Sequence, residues 1–353
     1  MDTEKIEPKY ECTGETKVFH GATLRRIRAL RDIPLHGVKA GDLGGWIENA
    51  GAPIRAGRNG RVPFVDQGNL AQDGECWIGG DSMAYGRAMV MDDALLGGQS
   101  IASGSAAICG RSRCVGRHSV RGACAILENA EIVGAVTMDG NVRVQGNAKI
   151  SGACSIAGYS FFTDNVNICF DKIGSTLICV TAKENAHISG NLYLQGANFR
   201  GDAIVEKPGD VIVVTTGHSA SSMYGSGTTV TAFRDSSCGV RVNAMSFSGP
   251  LDQFRAWSVD LAEVEHRRLD QFRDPAFPPF VAIADLFYAG FGLPTPAQSA
   301  LAAVAQKLVD CADSDPFTTV GHLVEHIAPE VRDVASPSQR QVDQGTGICP
   351  GGI

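Results

Sequence analysis

The chain has 353 residues, of which 44% are hydrophobic and 20% are charged, as in soluble globular proteins of two or three domains. A net charge of −7 disfavours nucleic acid and anionic membranes as partners, because both reward a basic surface. No apolar run reaches the roughly 18 residues that cross a bilayer, and residues 1–10 lack the apolar core of a signal peptide. We therefore expect a cytoplasmic protein with reduced cysteines.

Residues 1–73 are predicted to form an N-terminal cap and entry strands. The run Leu24–Leu30 indicates a strand, and Gly41–Gly45 indicates a turn. A solenoid needs such a cap because its terminal coil exposes strand edges and apolar core. Trp46 and Trp77 are predicted to fill the junction with the first coils.

Residues 74–206 carry a six-residue repeat. Written in sixes from Gly74, the chain places glycine first in 13 of the 16 hexads that end with Asp164–Cys169. A small residue follows two positions later, as at Ala88 and Ala106, and an aliphatic residue two positions after that. The aliphatic positions include Val90, Leu96, Ile108, Val120, Ile126, Ile132, Val144, Ile150, Ile156 and Ile168.

This repeat predicts a single-stranded parallel β-helix. The alternation of period two marks short strands with one side facing inward, and glycine recurs where the chain must turn a corner. Three strands and three corners make a triangular coil of about 18 residues. The register breaks between residues 169 and 183 and resumes, displaced by two residues, at Ala186–Ile188; residues 202–206 are predicted to form a last rung.

The rest of the chain is predicted to be α+β and then helical. Residues 207–275 form a small α+β domain, 276–335 a helical segment and 336–353 a disordered tail. The elements expected there are strands at Val211–Thr215, Thr229–Arg234 and Val240–Phe247 and helices at Leu251–Phe272 and Pro296–Cys311.

The repeat resembles that of the hexapeptide-repeat family, in which a small residue follows an aliphatic residue by four positions, as in Ile108 to Ser112. The glycine here stands two residues after the aliphatic residue instead of directly after it. The resemblance implies a mainly β fold with a left-handed β-helix, and trimeric acyltransferases are common in that family. Either hand satisfies the alternation alone.

A narrower resemblance covers about two thirds of the chain. The stretches Leu24–Arg31, Val38–Glu48 and Cys76–Gly80 resemble uncharacterised β-helix proteins of phages and bacteria, some of them labelled acetyltransferases. The stretches Thr229–Arg234 and Phe247–Phe254 resemble a phage-type domain of unknown function. Neither resemblance implies an established activity.

Acyltransferases of the hexapeptide family use a rung histidine as general base, and His187 is the candidate here because it follows the register break. Its alternative is a solvated surface histidine. His118 occupies an inward position and is a weaker catalytic candidate. Arg111, Arg113 and Arg117 would hold the phosphates of coenzyme A, the cofactor that this activity implies, or are simply an exposed basic run.

Metal binding is not expected, and outside the acyltransferase hypothesis no cofactor is expected either. His322 and His326 stand in an H-x-x-E-H pattern, which places two histidines one helical turn apart. No third ligand is evident in the sequence that follows them.

Residues 18 apart share a face of the predicted prism, and one outward stripe is apolar. An exposed apolar stripe of this kind predicts an interface with another copy about a three-fold axis, or with the C-terminal domain. Its members are Met89, Met91, Ala107, Cys109, Ala125, Leu127 and Phe161.

Two functions follow from these patterns. The first is a non-enzymatic, phage-related scaffold that self-associates, with a trimer favoured, and presents its C-terminal domain to a protein partner. The second is an acyltransferase that uses acyl-coenzyme A. The long run of hexads without a large loop favours the scaffold, and the family resemblance favours the enzyme.

Overall fold

The computed structural model describes residues 7–50, 68–215, 229–245, 247–268, 280–303 and 306, without the side chains of 171–174, 215 and 261–268. Its centre is a parallel β-solenoid of about seven turns. Regular turns have 18 residues, since Ala107 pairs with Ala125 and Ala125 with Arg143. The predicted β-helix is therefore confirmed in its general form.

The solenoid has three faces, which we name after one strand of each. The Met89 face contains β6 Met89–Val90, β9 Ala107–Ile108, β12 Ala125–Ile126, β14 Arg143–Val144, β16 Phe161–Phe162, β18 Thr181–Ala182 and β21 Asn198–Phe199. The Leu95 face contains β4 Trp77–Ile78, β7 Leu95–Gly98, β10 Arg113–Gly116, β19 His187–Ser189 and β22 Ile204–Val205.

The Ile101 face contains β3 Leu43–Ile47, β5 Met83–Ala84, β8 Ile101–Ala102, β11 Ser119–Val120 and β20 Tyr193–Gln195. Three long strands pass around the corner between the Leu95 and Ile101 faces and so belong to both. They are β13 Glu131–Gly140, β15 Lys149–Gly158 and β17 Asn167–Ile178.

The interior of the solenoid is filled by the two inward positions of each hexad. The aliphatic residues of the repeat, among them Ile108, Ile126 and Ile150, are fully buried, and so are the small residues Ala88 and Ala106. Small residues alternating with aliphatic ones let three strands approach each other without overpacking. Burial of these rows drives the coiling of the chain.

Backbone crowding explains why the corners are glycines. Gly152 has a φ of +89°, and a Cβ added there would lie 1.9 Å from the carbonyl oxygen of Phe170 in the next turn. Both the left-handed conformation and the close approach exclude a side chain at this position.

The predicted register break lies within β17. Gly152 pairs with Phe170, but Cys154 pairs with Ser175, so three additional residues are accommodated between these pairs. The following turns adjust, since Phe161 pairs with Thr181 and Thr181 with Asn198. His187–Ile188 then pairs with Ile204–Val205, which confirms the predicted last rung.

The N-terminal strands extend the Ile101 face. Strands β1 Tyr10–Phe19 and β2 Ala22–Ala29 form a hairpin, β2 pairs antiparallel with β3, and β3 pairs parallel with β5. The predicted turn over Gly41–Gly45 is wrong in its second half, because Leu43–Gly45 belongs to β3. Gly44 is required by packing, since a Cβ there would lie 2.5 Å from the ring of Trp77. A short 3-10 helix spans Pro34–His36.

A four-stranded antiparallel sheet follows the solenoid within the same compact unit. After a 3-10 turn at Pro208–Asp210 come β23 Val211–Thr215, β24 Thr229–Asp235, β25 Gly239–Ala244 and β26 Phe247–Pro250. Strand β24 contacts β21 and β22, the last strands of the Met89 and Leu95 faces. The predicted strands Val211–Thr215 and Thr229–Arg234 are confirmed. The predicted strand Val240–Phe247 is wrong in its bounds, because β25 ends at Ala244 and Phe247 begins β26.

Helix α1 spans Leu251–Arg268 and α2 spans Phe280–Gly290, and residues 296–303 are also helical. A second compact unit comprises residues 255–261 and the described part of 279–353. Within it, Trp257 packs against Phe280 and Arg255 forms an ion pair with Asp285 at 3.1 Å. No helix in the described ranges combines the length and hydropathy needed to span a bilayer.

Candidate interaction face

The Met89 face is the most apolar outer surface of the first three complete turns. Val90, Ile108 and Ile126 point inward, so their neighbours in each strand point outward. All six outward residues are half-buried rather than exposed, because each packs against the turns before and after it. They are Met89, Met91, Ala107, Cys109, Ala125 and Leu127, the stripe predicted from the 18-residue spacing.

The lower part of the same face becomes cationic and aromatic. The ring of Phe161 lies between two cations, with the Arg143 guanidinium carbon 6.0 Å and the Lys183 Nζ 5.4 Å from its centroid. Arg143 is oriented by a 2.7 Å hydrogen bond from its Nε to Gln145. Such cation–π contacts keep the Phe161 ring half-buried while both cations stay in water.

The other two faces are mixed over the same turns, since Leu95 is followed in register by Arg113 and Glu131, and Ile101 by Ser119 and Thr137. On the Leu95 face, Lys149 and Glu131 form an ion pair at 3.7 Å, with both side chains largely solvated. The Ile101 face carries Ser119, Thr137 and Ser155 in register on adjacent strands. Hydroxyl and paired charged groups are well hydrated, so these faces have less to gain from a protein contact.

Acidic residues line the corner between the Met89 and Leu95 faces. Asp92 and Glu128 replace corner glycines at φ of +58° and +59°, and their carboxylates accept hydrogen bonds from the backbone N–H groups of Gly110 and Gly146, both at 2.9 Å. At Asp164, hydrogen bonds from the Thr163 hydroxyl and the Glu184 backbone lower the pKa of the carboxyl. These acids therefore satisfy the backbone of the following turn.

An asparagine ladder runs beside this acidic corner. The amide of Asn129 donates to Asn147 at 3.2 Å, Asn147 to Asn165 at 3.2 Å, Asn165 to Asn185 at 3.1 Å, and Asn185 to the carboxylate of Asp202 at 3.0 Å. Identical side chains stacked on consecutive turns stabilise the corner in this way. The ladder is a structural feature of the exposed edge.

His187 lies on the Leu95 face and points outward between the buried residues Ala186 and Ile188. In register it is flanked by Asn167 and Ile204. No side chain in the described part of the chain hydrogen-bonds to its ring. Glu184, which could have oriented it, lies at the preceding corner.

His118 is buried in the solenoid, as its inward position predicts. Its Nδ1 accepts a 3.4 Å hydrogen bond from the backbone N–H of Val136, and among the residues that the structure describes none stands in hydrogen-bond geometry at its Nε2. Burial lowers the pKa of this imidazole, although the nearby backbone of Val115 and Ile132 opposes the shift. A substrate could not reach this ring without opening the coil.

The three predicted coenzyme-binding arginines do not form one pocket. Arg113 lies on the Leu95 face, and Arg111 and Arg117 lie at the two corners that bound it, all three exposed. Arg111 lies 3.7 Å from Asp93 in a solvated ion pair. The two histidines of the weaker metal prediction, His322 and His326, fall outside the described residues.

The cysteines in the inward positions behave as small hydrophobic residues. Cys114 and Cys154 are buried, and burial raises the pKa of each thiol to about 12. Nine cysteines in the described ranges are free. Protonated, buried thiols of this kind are chemically inert.

Sequence reasoning missed Lys183 as a member of the Met89 face. An 18-residue period would pair Phe161 with Cys179. The turn that follows the break has 20 residues instead, so Thr181 lies beside Phe161, and Lys183 lies beside Thr163 on the next turn. Counting from the resumed register at Ala186 would have found it.

Comparison of the chain with protein-family models gives no match, and no curated protein is significantly similar to it. The solenoid is therefore supported by the structure alone, and the resemblance to hexapeptide-repeat acyltransferases remains a prediction.

Proposed function

We propose that this protein is a non-enzymatic scaffold that associates with copies of itself through the Met89 face and presents its helical unit to a protein partner. The observation that supports this proposal is the contrast among the three faces: one has six half-buried apolar or weakly polar residues in register, whereas the other two mix apolar residues with charged or hydroxyl groups. Contiguous exposed apolar surface is typical of interfaces.

The proposed assembly is a trimer about an axis parallel to the solenoid, with left-handed winding of each chain. At the C-terminal end of the solenoid, strand β24 packs against β21 and β22, which disfavours end-to-end growth there and favours association through a side face. The helical unit also exposes apolar side chains, with Leu286 51% and Leu301 58% accessible, and these would contact the partner. We place the protein in the cytoplasm of a phage- or prophage-bearing cell, in keeping with its free cysteines.

The test is the molecular mass in solution by light scattering. The double variant Met89→Lys with Leu127→Lys is expected to reduce the mass to that of one chain, because each interface would bury several unpaired ammonium groups. Ser119→Lys with Thr137→Lys on the Ile101 face is the matched control and should leave the mass unchanged. A multimer that survives the first pair with an unchanged melting temperature would refute the proposal.

The second candidate is an acyl-coenzyme A-dependent acyltransferase, favoured by the outward position of His187 one turn after the bulge in β17. A cleft between subunits could supply the orienting group that the described residues of one chain do not provide. Acetyl-coenzyme A would then raise the melting temperature of the wild type, because a ligand that binds the folded state stabilises it. The rise should be smaller for Arg113→Gln. No shift at saturating coenzyme would exclude this candidate.

A further inference from the structure

Three sulfur-bearing residues occupy neighbouring positions on the upper part of the Met89 face. Met89 and Met91 are separated by one residue in and just after β6, so they point to the same side of the strand. The adjacent strand β9 pairs Ala107 with Met89, and the backbone N–H of Met91 donates to Ile108 at 3.0 Å, which brings Cys109 level with Met91.

Strand geometry places these side chains within reach of one another. Neighbouring strands are about 4.8 Å apart, and residues two apart along a strand about 6.6 Å. Methionine has three rotatable bonds and a polarizable sulfur, so both thioethers can turn toward the cysteine. All three residues are half-buried, which leaves them accessible to a small solute.

We propose that Met89, Met91 and Cys109 form a binding site for one monovalent soft metal ion, of which Cu(I) is the biological example. Thioether and thiolate ligands select Cu(I) over hard cations such as Mg²⁺ or Ca²⁺. Because no three His, Cys, Asp or Glu side chains converge in the described ranges, this proposal depends on the two methionine sulfurs as ligands beside Cys109.

Charge balance favours a monovalent ion. One thiolate and one Cu(I) are neutral together, whereas a divalent ion would leave a net charge against Ala107, Ala125 and Leu127. The nearest carboxylate, that of Asp92, is already engaged by the backbone N–H of Gly110 at 2.9 Å. Burial raises the pKa of the Cys109 thiol to about 12, so metal binding must displace its proton into the solvent.

The site does not depend on the proposed self-association, and one variant separates the two. Leu127→Lys removes an interface residue and leaves all three sulfurs in place. If that chain is monomeric and still binds Cu(I), the metal site belongs to a single chain. If it no longer binds Cu(I) although it remains folded, the site as proposed here is wrong.

The experiment is an anaerobic titration of the full chain with Cu(I), using the chromogenic chelator bicinchoninate as competitor. The wild type should retain one Cu(I) and release one proton per ion. Cys109→Ala and Met91→Leu should each weaken retention at least about tenfold, the lower end of what loss of a supporting group costs a metal site.

Two control variants test whether Cu(I) retention depends on Met89, Met91 and Cys109 and not on a cysteine or methionine elsewhere. Cys179→Ser removes an exposed cysteine at another corner, and Met83→Leu removes an outward methionine on the Ile101 face. Neither should change retention. Because Met91→Leu conserves volume, its fold can be verified by an unchanged melting temperature. Equal retention by the wild type and the Met91→Leu, Cys109→Ala double variant would overturn the proposal.

Discussion

At the N-terminal end of the solenoid, strands β2 and β3 extend the Ile101 face, whereas at the C-terminal end a separate four-stranded sheet packs across the last strands of two faces. The N-terminal end is rich in buried polar groups. Lys9 is fully buried, and its Nζ donates to the carbonyl of Asp73 at 2.9 Å and lies 3.1 Å from the Cys76 sulfur. The C-terminal end depends more on an aromatic contact, in which Phe199 meets Phe233 edge-on at 5.2 Å.

Both ends nevertheless use a buried asparagine to satisfy backbone groups. Asn69 donates to Ala88 at 2.7 Å and accepts the backbone N–H groups of Asn49 and Glu48 at 2.7 and 3.1 Å. Asn243 donates to the carbonyl of Asn198 at 2.8 Å. At both positions a side-chain amide takes the place of a peptide group as hydrogen-bond partner of the backbone.

The aromatic contact at the C-terminal end should have the largest effect when removed. Phe233→Ala is expected to lower the free energy of unfolding by about 3–5 kcal/mol, because a fully buried ring leaves a cavity between the sheet and the last turn. Urea unfolding followed by circular dichroism measures this change.

Tyr193→Ala is the control for Phe233→Ala, since the Tyr193 side chain is 66% accessible and its loss should cost less than about 0.5 kcal/mol. Equal costs for the two variants would mean that the sheet does not close the solenoid through Phe233. The contrast between the two ends would then lose its physical basis.

The ends were also the least predictable part of the fold. The repeat predicts Val90, Ile108 and Ile126 as interior because every turn applies the same rule to them. The cap has no sequence repeat, so each of its residues depends on contacts that occur only once. Gly44 therefore reads as a turn residue in the sequence, although it is a strand glycine that admits the Trp77 ring.

The Met89 face likewise has a part that the sequence predicts and a part that it does not. The stripe from Met89 to Leu127 follows from the 18-residue period and could be predicted. Lys183 does not follow from the uninterrupted 18-residue period, because β17 contains a bulge between Gly152/Phe170 and Cys154/Ser175. It is found only when the count restarts at the resumed register at Ala186. The environment of His118 likewise depends on hydrogen bonds across turns that no spacing specifies.

Replacing Asn69 or Asn243 with leucine tests how much each end of the solenoid depends on its buried asparagine. Asn69→Leu leaves the backbone N–H of Asn49 and the carbonyl of Ala88 without a partner, and removes one of the two acceptors of the Glu48 N–H. Asn243→Leu leaves the carbonyl of Asn198 and the hydroxyl of Ser248, which is exposed to water. A buried unsatisfied group costs about 1–3 kcal/mol, so both variants should be destabilised, and Asn69→Leu more strongly. Hydrogen exchange should show the loss of protection near the replaced residue. A larger cost for Asn243→Leu would contradict this ranking.

The smallest effect should be a pH dependence that originates in the body of the solenoid and not at its C-terminal end. Burial lowers the pKa of His118 in the folded state, so the folded chain disfavours its protonation. Above about pH 6.5 the imidazole is neutral in both states and stability is complete. As the pH falls below that value, the unfolded chain binds a proton that the folded chain does not, and the free energy of unfolding decreases until the folded pKa is reached.

The slope from His118 is at most about 1.4 kcal/mol per pH unit, the limit for one proton. Burial also lowers the pKa of His36, in the loop after β2, so both histidines act in this window. Carboxyl groups with a lowered pKa contribute only at more acidic pH. One example is Asp235, where burial raises the pKa but hydrogen bonds from Ser237 and Arg241 together lower it further than burial raises it. Urea unfolding between pH 7 and pH 5 should therefore show a shallower slope for His118→Gln than for the wild type, and His36→Gln should remove a separate part. If His118→Gln leaves the slope unchanged, the buried imidazole is not coupled to folding.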